Sequence, residues 1–263
     1  MRACARKELK NGKIETSMNV YYVNSVMHQS DDVLKAVKKA MQIKVEDANI
    51  TTLTLLIPTN DSKSLLDPLK IGKQYLDNNG FMLEDLRVQI RTVKTYQPEY
   101  VREGKKPSEI LVPLRVWPND LYQFEDMNDI GYWVVLPTTL EIYKSFLSIH
   151  EAKDCETGIP FPAPDPIDFR VANAIDYLKG CPSQGDKFMH PLDEDELKYV
   201  AVTLRKLKVN IDYDAAVHYG LKIGLKPSTA RKIADVFMRA QSHSMQIRYP
   251  HENIKKMLNT PRE

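Results

Sequence analysis

Residues 50–69 read ITTLTLLIPTNDSKSLLDPL, and this stretch decides how the first half of the chain folds. Residues 50–57 are almost all apolar or threonine, which is typical of a strand buried on both faces of a parallel sheet. Pro58 and the polar residues after it end the strand, and apolar residues then recur at helical spacing. The stretch therefore predicts a strand that leads directly into a helix.

The same joint between strand and helix recurs in residues 23–32, 110–121 and 133–140, which read VNSVMHQSDD, ILVPLRVWPNDL and WVVLPTTL. Alternation and β-branched content predict strands, and capping residues with helical spacing predict the helices after them. The predicted strands are 19–27, 50–57, 86–96, 110–117 and 132–136, and the predicted helices begin near 30, 62, 119 and 138. Alternating strands and helices indicate an α/β, Rossmann-like domain with a mostly parallel sheet.

A proline-rich segment separates this domain from a different pattern. Residues 156–168 read ETGIPFPAPDPID, in which four prolines within seven residues exclude a regular helix or strand. Helical spacing then predominates, with helices predicted at 169–178, 193–208, 212–223 and 228–241. We predict an N-terminal arm at 1–18, the α/β domain at 19–155, a connector at 156–168 and an all-helical C-terminal domain at 169–263.

Charge is distributed unevenly along the chain, although the net charge is only +2. Residues 120–198 carry sixteen acidic and six basic side chains, whereas residues 203–263 carry twelve basic and five acidic ones. One explanation is that the two regions face one another or a second copy of the chain. The other is that the basic tail meets a polyanion.

Composition and motifs exclude several classes of protein. Three scattered cysteines predict neither a disulfide framework nor a zinc site and favour a cytoplasmic location. No apolar run is long enough for a membrane span, and the basic residues at the start of the chain lead into no signal-peptide core. The absence of G-x-G-x-x-G and G-x-x-x-x-G-K-[ST] argues against a dinucleotide dehydrogenase or a P-loop NTPase, and there is no G-x-S-x-G elbow.

The four joints predict a ligand site. The carboxyl ends of parallel strands share one edge of a sheet, and helix N-termini direct free amides towards it. Candidate ligand-binding residues at this edge are Ser30, Thr59, Asn60, Ser62, Asn119, Thr138 and Thr139. Each of these residue types is also an ordinary helix cap, so the predicted site depends on the joints as a set. A small polar or nucleotide-like ligand is the expected occupant.

Acidic residues at the same edge support an enzymatic alternative, and the sequence leaves open whether the protein is an enzyme. Asp31, Asp61 and Asp120 would be its catalytic residues, because clustered carboxylates hold Mg²⁺ in nucleases and nucleotide hydrolases. The simpler interpretation is that each aspartate lies near a helix N-terminus and interacts with the helix dipole. No other cofactor or metal is indicated.

The basic tail supports a nucleic-acid interface. Residues 213–223, a turn at 224–227 and residues 228–241 have the dimensions of a helix-turn-helix, and residues 245–250 would add the wing of a winged helix. The candidate contacts to DNA or RNA are Ser228, Arg231, Lys232, Arg239 and Arg248. An ordinary amphipathic hairpin with solvated lysines is the alternative.

Together these patterns predict a ligand-responsive, nucleic-acid-binding regulator. The α/β domain would bind the ligand, and the tail would bind DNA. The enzyme described above is one alternative, and a component of a protein assembly or homo-oligomer that pairs its acidic middle with its basic tail is another.

Overall fold

The computed structural model describes residues 19–25, 31–97, 107–127, 129–180, 191–247 and 254–260. Residues 1–18, His28, Ser30 and Arg248 lie outside these ranges, so the predictions made for them stay predictions. None of the described helices combines the length and the apolar character needed to cross a membrane.

The described strands form one seven-stranded, mostly parallel sheet in the order β3-β4-β2-β5-β6-β1-β7. β3 is antiparallel to β4, and the other neighbouring pairs are parallel. The strands are β1 Asn19–Tyr22, β2 Thr52–Ile57, β3 Gly80–Leu83, β4 Leu86–Thr92, β5 Glu109–Pro113, β6 Ile130–Val135 and β7 Lys153–Asp154. The predicted α/β class with a mostly parallel sheet is confirmed.

The helices cover both faces of the sheet and then form a bundle of their own. Those of the first part are α1 Asp31–Glu46, α2 Lys73–Asp77, α3 Pro118–Leu121 and α4 Leu140–Ile149, with 3₁₀ helices at Asn60–Leu69 and Tyr122–Phe124. Those of the second part are α5 Phe169–Lys179, α6 Pro191–Lys206, α7 Tyr213–Lys222, α8 Pro227–Ser242 and α9 Ile254–Leu258.

Burial explains why residues 50–57 read as a continuous apolar run. β2 pairs with β4 on one side and with β5 on the other, so it lies inside the sheet. Leu53 and Leu55 pack on one face, in the cluster that includes α1, whereas Leu56 packs on the other face, in the cluster that includes α4. A strand covered on both faces has no position for a charged side chain.

The single helix predicted from residue 62 to 78 is replaced by a 3₁₀ helix and the short helix α2. An unpredicted strand, β3, follows them. Pro68 lies within the 3₁₀ helix Asn60–Leu69, which ends at Lys70 in the left-handed conformation. The short α2 leads to Gly80, which has φ +155°, and a Cβ there would lie 2.4 Å from the Val88 carbonyl oxygen. Asn79-Gly80 therefore starts the β3–β4 hairpin as well as ending a helix.

The C-terminal helices share one hydrophobic cluster, which also includes Ile149 of α4. α7 and α8 pack against each other as a helical hairpin, as predicted. Residues 245–247 form no strand, so the described part of the predicted wing is not confirmed. The segment after it contains the unpredicted α9, which packs on α5 and α6. The winged-helix assignment is thus unsupported, whereas an all-helical arrangement is present.

The proline-rich residues 156–168 lie against the α/β part of the molecule. The Phe161 N–H donates to the Ala152 carbonyl, and the Ser148 hydroxyl donates to the Pro162 carbonyl. Phe161 also packs edge-on against Tyr22. The segment is therefore held in place by specific contacts along the sheet.

Candidate functional site

The carboxyl ends of the parallel strands lie at one edge of the sheet, as the parallel register requires. Thr59 and Thr139 are the N-cap residues of the helices that follow them, but neither side chain makes a capping hydrogen bond. The Thr59 and Ser62 hydroxyls lie 3.2 Å apart. The Thr59 and Thr139 hydroxyls therefore lie at the edge and make no helix-capping hydrogen bond.

A pocket of about 290 Å³ opens at this edge, beside the ends of β2 and β4. Of the predicted ligand residues, only Asn60 lines it. Thr59, Ser62, Asn119, Thr138 and Thr139 are described by the structure but do not line it. The described residues that line it are Ile57, Asn60, Lys63, Asn79, Ile90, Arg91, Thr92 and Thr95. We call this the edge pocket.

Two cationic side chains give the edge pocket its charge. The Lys63 ammonium donates to the Leu76 carbonyl at 3.0 Å, and Arg91 Nη1 donates to the Asn79 carbonyl at 3.2 Å. These bonds fix the Lys63 side chain to α2 and the Arg91 side chain to the residue that precedes β3. None of the lining residues that the structure describes carries a carboxylate, so Lys63 and Arg91 give this described part of the pocket a positive charge.

The floor of the edge pocket is a tight turn after β4. The Thr92 N–H donates to the Thr95 hydroxyl at 3.0 Å, and the Thr95 N–H donates to the Thr92 carbonyl at 3.0 Å. The Tyr96 N–H also donates to that carbonyl, at 2.9 Å. Because each residue is bonded within the turn, the hydroxyls have defined positions before any ligand arrives.

Lys63 and Arg91 were not predicted as ligand residues, and the reason is physical. Arg91 belongs to the polar face of an alternating strand, which is the usual pattern of a strand exposed to solvent. Lys63 lies inside a predicted helix, where a lysine is most often solvated. The signal that was available is the polar face of β4 itself, because a strand inside a mostly parallel sheet normally lacks one.

Among the residues that the structure describes, the three aspartates of the enzymatic alternative do not form a metal site. Asp31 and Asp61 are exposed, and each lies in the first turn of its own helix. Within the described ranges, no group of three or more His, Cys, Asp or Glu side chains could hold a metal ion. Asp31, Asp61 and Asp120 thus have the positions expected from interactions with helix dipoles.

Arg231 has a different position from the one predicted for it. It is 7% exposed, and its Nε and Nη2 donate to the two oxygens of Glu125 at 2.7 and 2.6 Å. His150 Nε2 lies 2.8 Å from the same carboxylate, and the guanidinium lies 3.5 Å from the centre of the Tyr122 ring. We call Glu125, Arg231 and His150 the buried ion cluster.

The pKa of Glu125 reflects this environment. Burial alone would raise the pKa of the carboxyl, but the hydrogen bonds from Arg231 and His150 outweigh burial and hold the pKa below its ordinary value of 4.5. The carboxylate is therefore charged and paired. The Arg231 guanidinium is enclosed and bonded in this conformation, so its predicted contact with nucleic acid stays a prediction that would require a different conformation.

The other described residues that were predicted to contact nucleic acid differ in their contacts and in their exposure. The Ser228 N–H donates to the Asp126 carboxylate at 2.9 Å, so the N-terminus of α8 is docked on the α/β part of the molecule. Lys232 is half-buried and Arg239 is exposed. The α8 end that would enter a DNA groove is thus hydrogen-bonded to Asp126, although Ser228 itself is exposed.

Comparisons of the chain with protein-family models, with curated proteins and with solved structures found no match.

Proposed function

We propose that this protein binds a small anionic, nucleotide-like ligand in the edge pocket. The observation that carries the proposal is that two cationic side chains, Lys63 and Arg91, line the same pocket, where no carboxylate occurs among the described lining residues. The location is the usual one for ligands of open α/β sheets, beyond the carboxyl ends of the strands. That location is an argument by analogy, whereas the two cations are specific to this chain.

Both cations retain donors for a ligand. An ammonium group has three donors and a guanidinium has five, and the bonds to the carbonyls of Leu76 and Asn79 use only part of them. Hydrogen bonds from a charged donor to phosphate are short and strong, and arginine binds phosphate through two parallel bonds. The Thr92 and Thr95 hydroxyls and the Asn60 amide add neutral partners.

Calorimetric titration with inorganic phosphate and with nucleoside monophosphates tests the proposal. We expect Lys63→Met to weaken phosphate binding by at least about tenfold, because one charged hydrogen bond contributes about 1.5–3 kcal/mol. Lys38→Met is the matched control, since Lys38 is exposed on α1 away from the pocket, and it should bind as the unmodified protein does. Circular dichroism of each variant checks that it is folded. Equal affinity of the two variants would refute the proposal.

The nucleic-acid role of the basic tail stays a prediction. With Arg231 enclosed, the exposed cations that support it include Arg239 in α8, Lys255 and Lys256 in α9, and Lys206, Lys208, Lys222 and Lys226. The edge pocket supports the ligand side of the proposed regulator, and DNA binding would depend on the exposed cations of the tail.

A further inference from the structure

The edge pocket has two walls, and each wall combines a cation with a carboxamide. On the 3₁₀ helix, Asn60 and Lys63 are three residues apart, and side chains with that spacing lie on one face of a 3₁₀ helix. On the other wall, Arg91 Nη1 donates to the Asn79 carbonyl, which places the second cation beside the second asparagine. The described lining thus has the same two kinds of group on both walls.

The cations and the carboxamides offer different hydrogen bonds. Lys63 and Arg91 have donors only, which suits a phosphate group. A carboxamide has an acceptor oxygen and two N–H donors, so one asparagine can bond two neighbouring hydroxyls, donating to one and accepting from the other. Asn60 and Asn79 are exposed, and neither side chain has a hydrogen-bond partner in the described part of the chain. Both carboxamides are therefore available to a ligand.

The described lining provides little that would hold a nucleotide base. Its apolar members, Ile57 and Ile90, are 0% and 2% exposed, so they present little surface to a flat ring. None of the described lining residues is aromatic, although proteins commonly hold bases by stacking them on aromatic side chains. The volume of about 290 Å³ is also at the lower limit for small-ligand sites, which usually measure about 300–1,000 Å³. The pocket therefore suits phosphate and hydroxyls better than it suits a base.

We propose that the edge pocket recognises a pentose 5-phosphate, either as a free sugar phosphate or as the ribose phosphate of a nucleotide whose base stays outside. Lys63 and Arg91 bind the phosphate group, and Asn60 and Asn79 bind neighbouring hydroxyls of the sugar. Each hydroxyl both donates and accepts, as the carboxamides do. This inference rests on the proposed function, because the bound phosphate is what positions the sugar.

Calorimetric titration of the unmodified protein tests the inference. We expect ribose 5-phosphate to bind at least about tenfold more tightly than inorganic phosphate, because bonds to its hydroxyls add to those of the phosphate. The 2-deoxy sugar phosphate lacks one of two neighbouring hydroxyls and should bind more weakly than ribose 5-phosphate.

Titration with AMP and UMP distinguishes the two sources of the sugar phosphate. The two nucleotides share one ribose phosphate and differ in the base, so we expect them to have equal affinities. Affinities close to that of ribose 5-phosphate would identify nucleotides as ligands of the pocket. Affinities that are equally reduced in both would identify the free sugar phosphate as the ligand.

Two variants connect sugar recognition to the carboxamides. Asn60→Ala and Asn79→Gly should each lower the affinity for ribose 5-phosphate by about fivefold, because a neutral hydrogen bond is lost, and should leave the affinity for inorganic phosphate unchanged. Glycine is the replacement for Asn79 because this residue has φ 54°, a left-handed conformation that glycine adopts readily. Asn78→Ala is the matched control, since Asn78 is exposed, adjacent to Asn79 and not among the lining residues. Circular dichroism checks that each variant is folded.

The possible failures are distinguishable. Ribose 5-phosphate that binds no more tightly than inorganic phosphate, with phosphate binding that Lys63→Met weakens, would overturn the sugar inference and leave the proposed function standing. Absence of binding by phosphate, by the sugar phosphates and by both nucleotides would overturn both. A difference of more than about tenfold between AMP and UMP would overturn the inference, because the pocket would then read the base. Carboxamide variants that bind ribose 5-phosphate as tightly as the Asn78→Ala control would also overturn it.

Discussion

Arg231 and Glu125 are separated by 106 residues in the chain, yet they form a two-bond ion pair in the interior. Sequence spacing placed Arg231 on a polar face of an amphipathic helix, which usually means solvent. A helix that packs against two layers has less exposed surface than its pattern indicates. An arginine on the second packed face of such a helix is buried and needs a hydrogen-bond acceptor there. Glu125 is that acceptor for Arg231.

Neutralising Glu125 should strongly destabilise the protein. We expect Glu125→Gln to lower the free energy of unfolding by about 3 kcal/mol, because removal of one partner leaves Arg231 buried without its counter-charge. Urea denaturation followed by circular dichroism measures the change. Glu141→Gln, in the exposed first turn of α4, is the control and should change it by less than about 0.5 kcal/mol. A loss no larger than that of the control would show that the pair contributes no net stability.

At the level of elements, the strongly buried strands were predictable and the short connecting ones were not. β2 was predicted to within two residues, because a strand covered on both faces needs an apolar run. β3 and β7 have four and two residues, too few for a periodic pattern to identify. The helical segment after β2 shows a second limit of prediction from sequence. Pro68 is compatible with several helical forms, and packing against α1 selects the one that forms.

The contact between α7 and α8 depends on Gly220. A Cβ at this position would lie 2.9 Å from the Ala230 Cβ, which is closer than real Cβ atoms approach. Replacement of a helical glycine by alanine normally stabilises a helix by about 1 kcal/mol. Here the clash between the added Cβ and Ala230 opposes that gain in stability. The close packing of α7 and α8 therefore decides whether the substitution stabilises or destabilises the protein.

We expect Gly220→Ala to lower the free energy of unfolding by about 1–2 kcal/mol, as overpacking does. Ala230→Gly should be destabilising by itself, by about 1 kcal/mol. In the double variant the clash disappears, so the summed single effects should exceed the measured loss. Thermal and urea unfolding of all four proteins complete this double-mutant cycle. Strict additivity would show that the helices separate freely.

On the scale of the whole molecule, acidic residues of the middle region pair with basic residues of the tail inside one chain. Glu125 binds Arg231, and Glu151 lies 3.1 Å from Lys222 and 3.2 Å from His218. Asp126 accepts the Ser228 N–H. These contacts join the helical bundle to the sheet, so the charge asymmetry of the sequence has an intramolecular explanation. The assembly alternative needs contacts beyond these.

Stability should fall in acid because of the buried ion cluster. The pKa of Glu125 is lower in the folded protein than its ordinary value of 4.5, so its contribution is present above 4.5 and is lost as the pH falls through the folded pKa. We expect the free energy of unfolding to decrease steadily below pH 4.5. Urea denaturation at several pH values between about 6 and 3 measures this slope.

The Glu125→Gln variant should show a smaller loss in acid than the unmodified protein. Asp168, whose pKa is lowered mainly by its hydrogen bond from Arg170, contributes equally to both proteins. The difference between the two slopes therefore isolates Glu125. Parallel slopes would mean that the carboxyl titrates alike in the folded and unfolded states.

Local pattern was sufficient for the α/β class, for the parallel character of the sheet and for the edge at which polar residues collect. These features follow from which residues are apolar and at what period, and both are properties of neighbouring residues. Tertiary structure alone decided that Lys63 and Arg91 line the same pocket. It also decided that Arg231 is enclosed by Glu125. Each of those outcomes joins segments that are distant in the chain, and only the order of the strands and the packing of the helices bring them together.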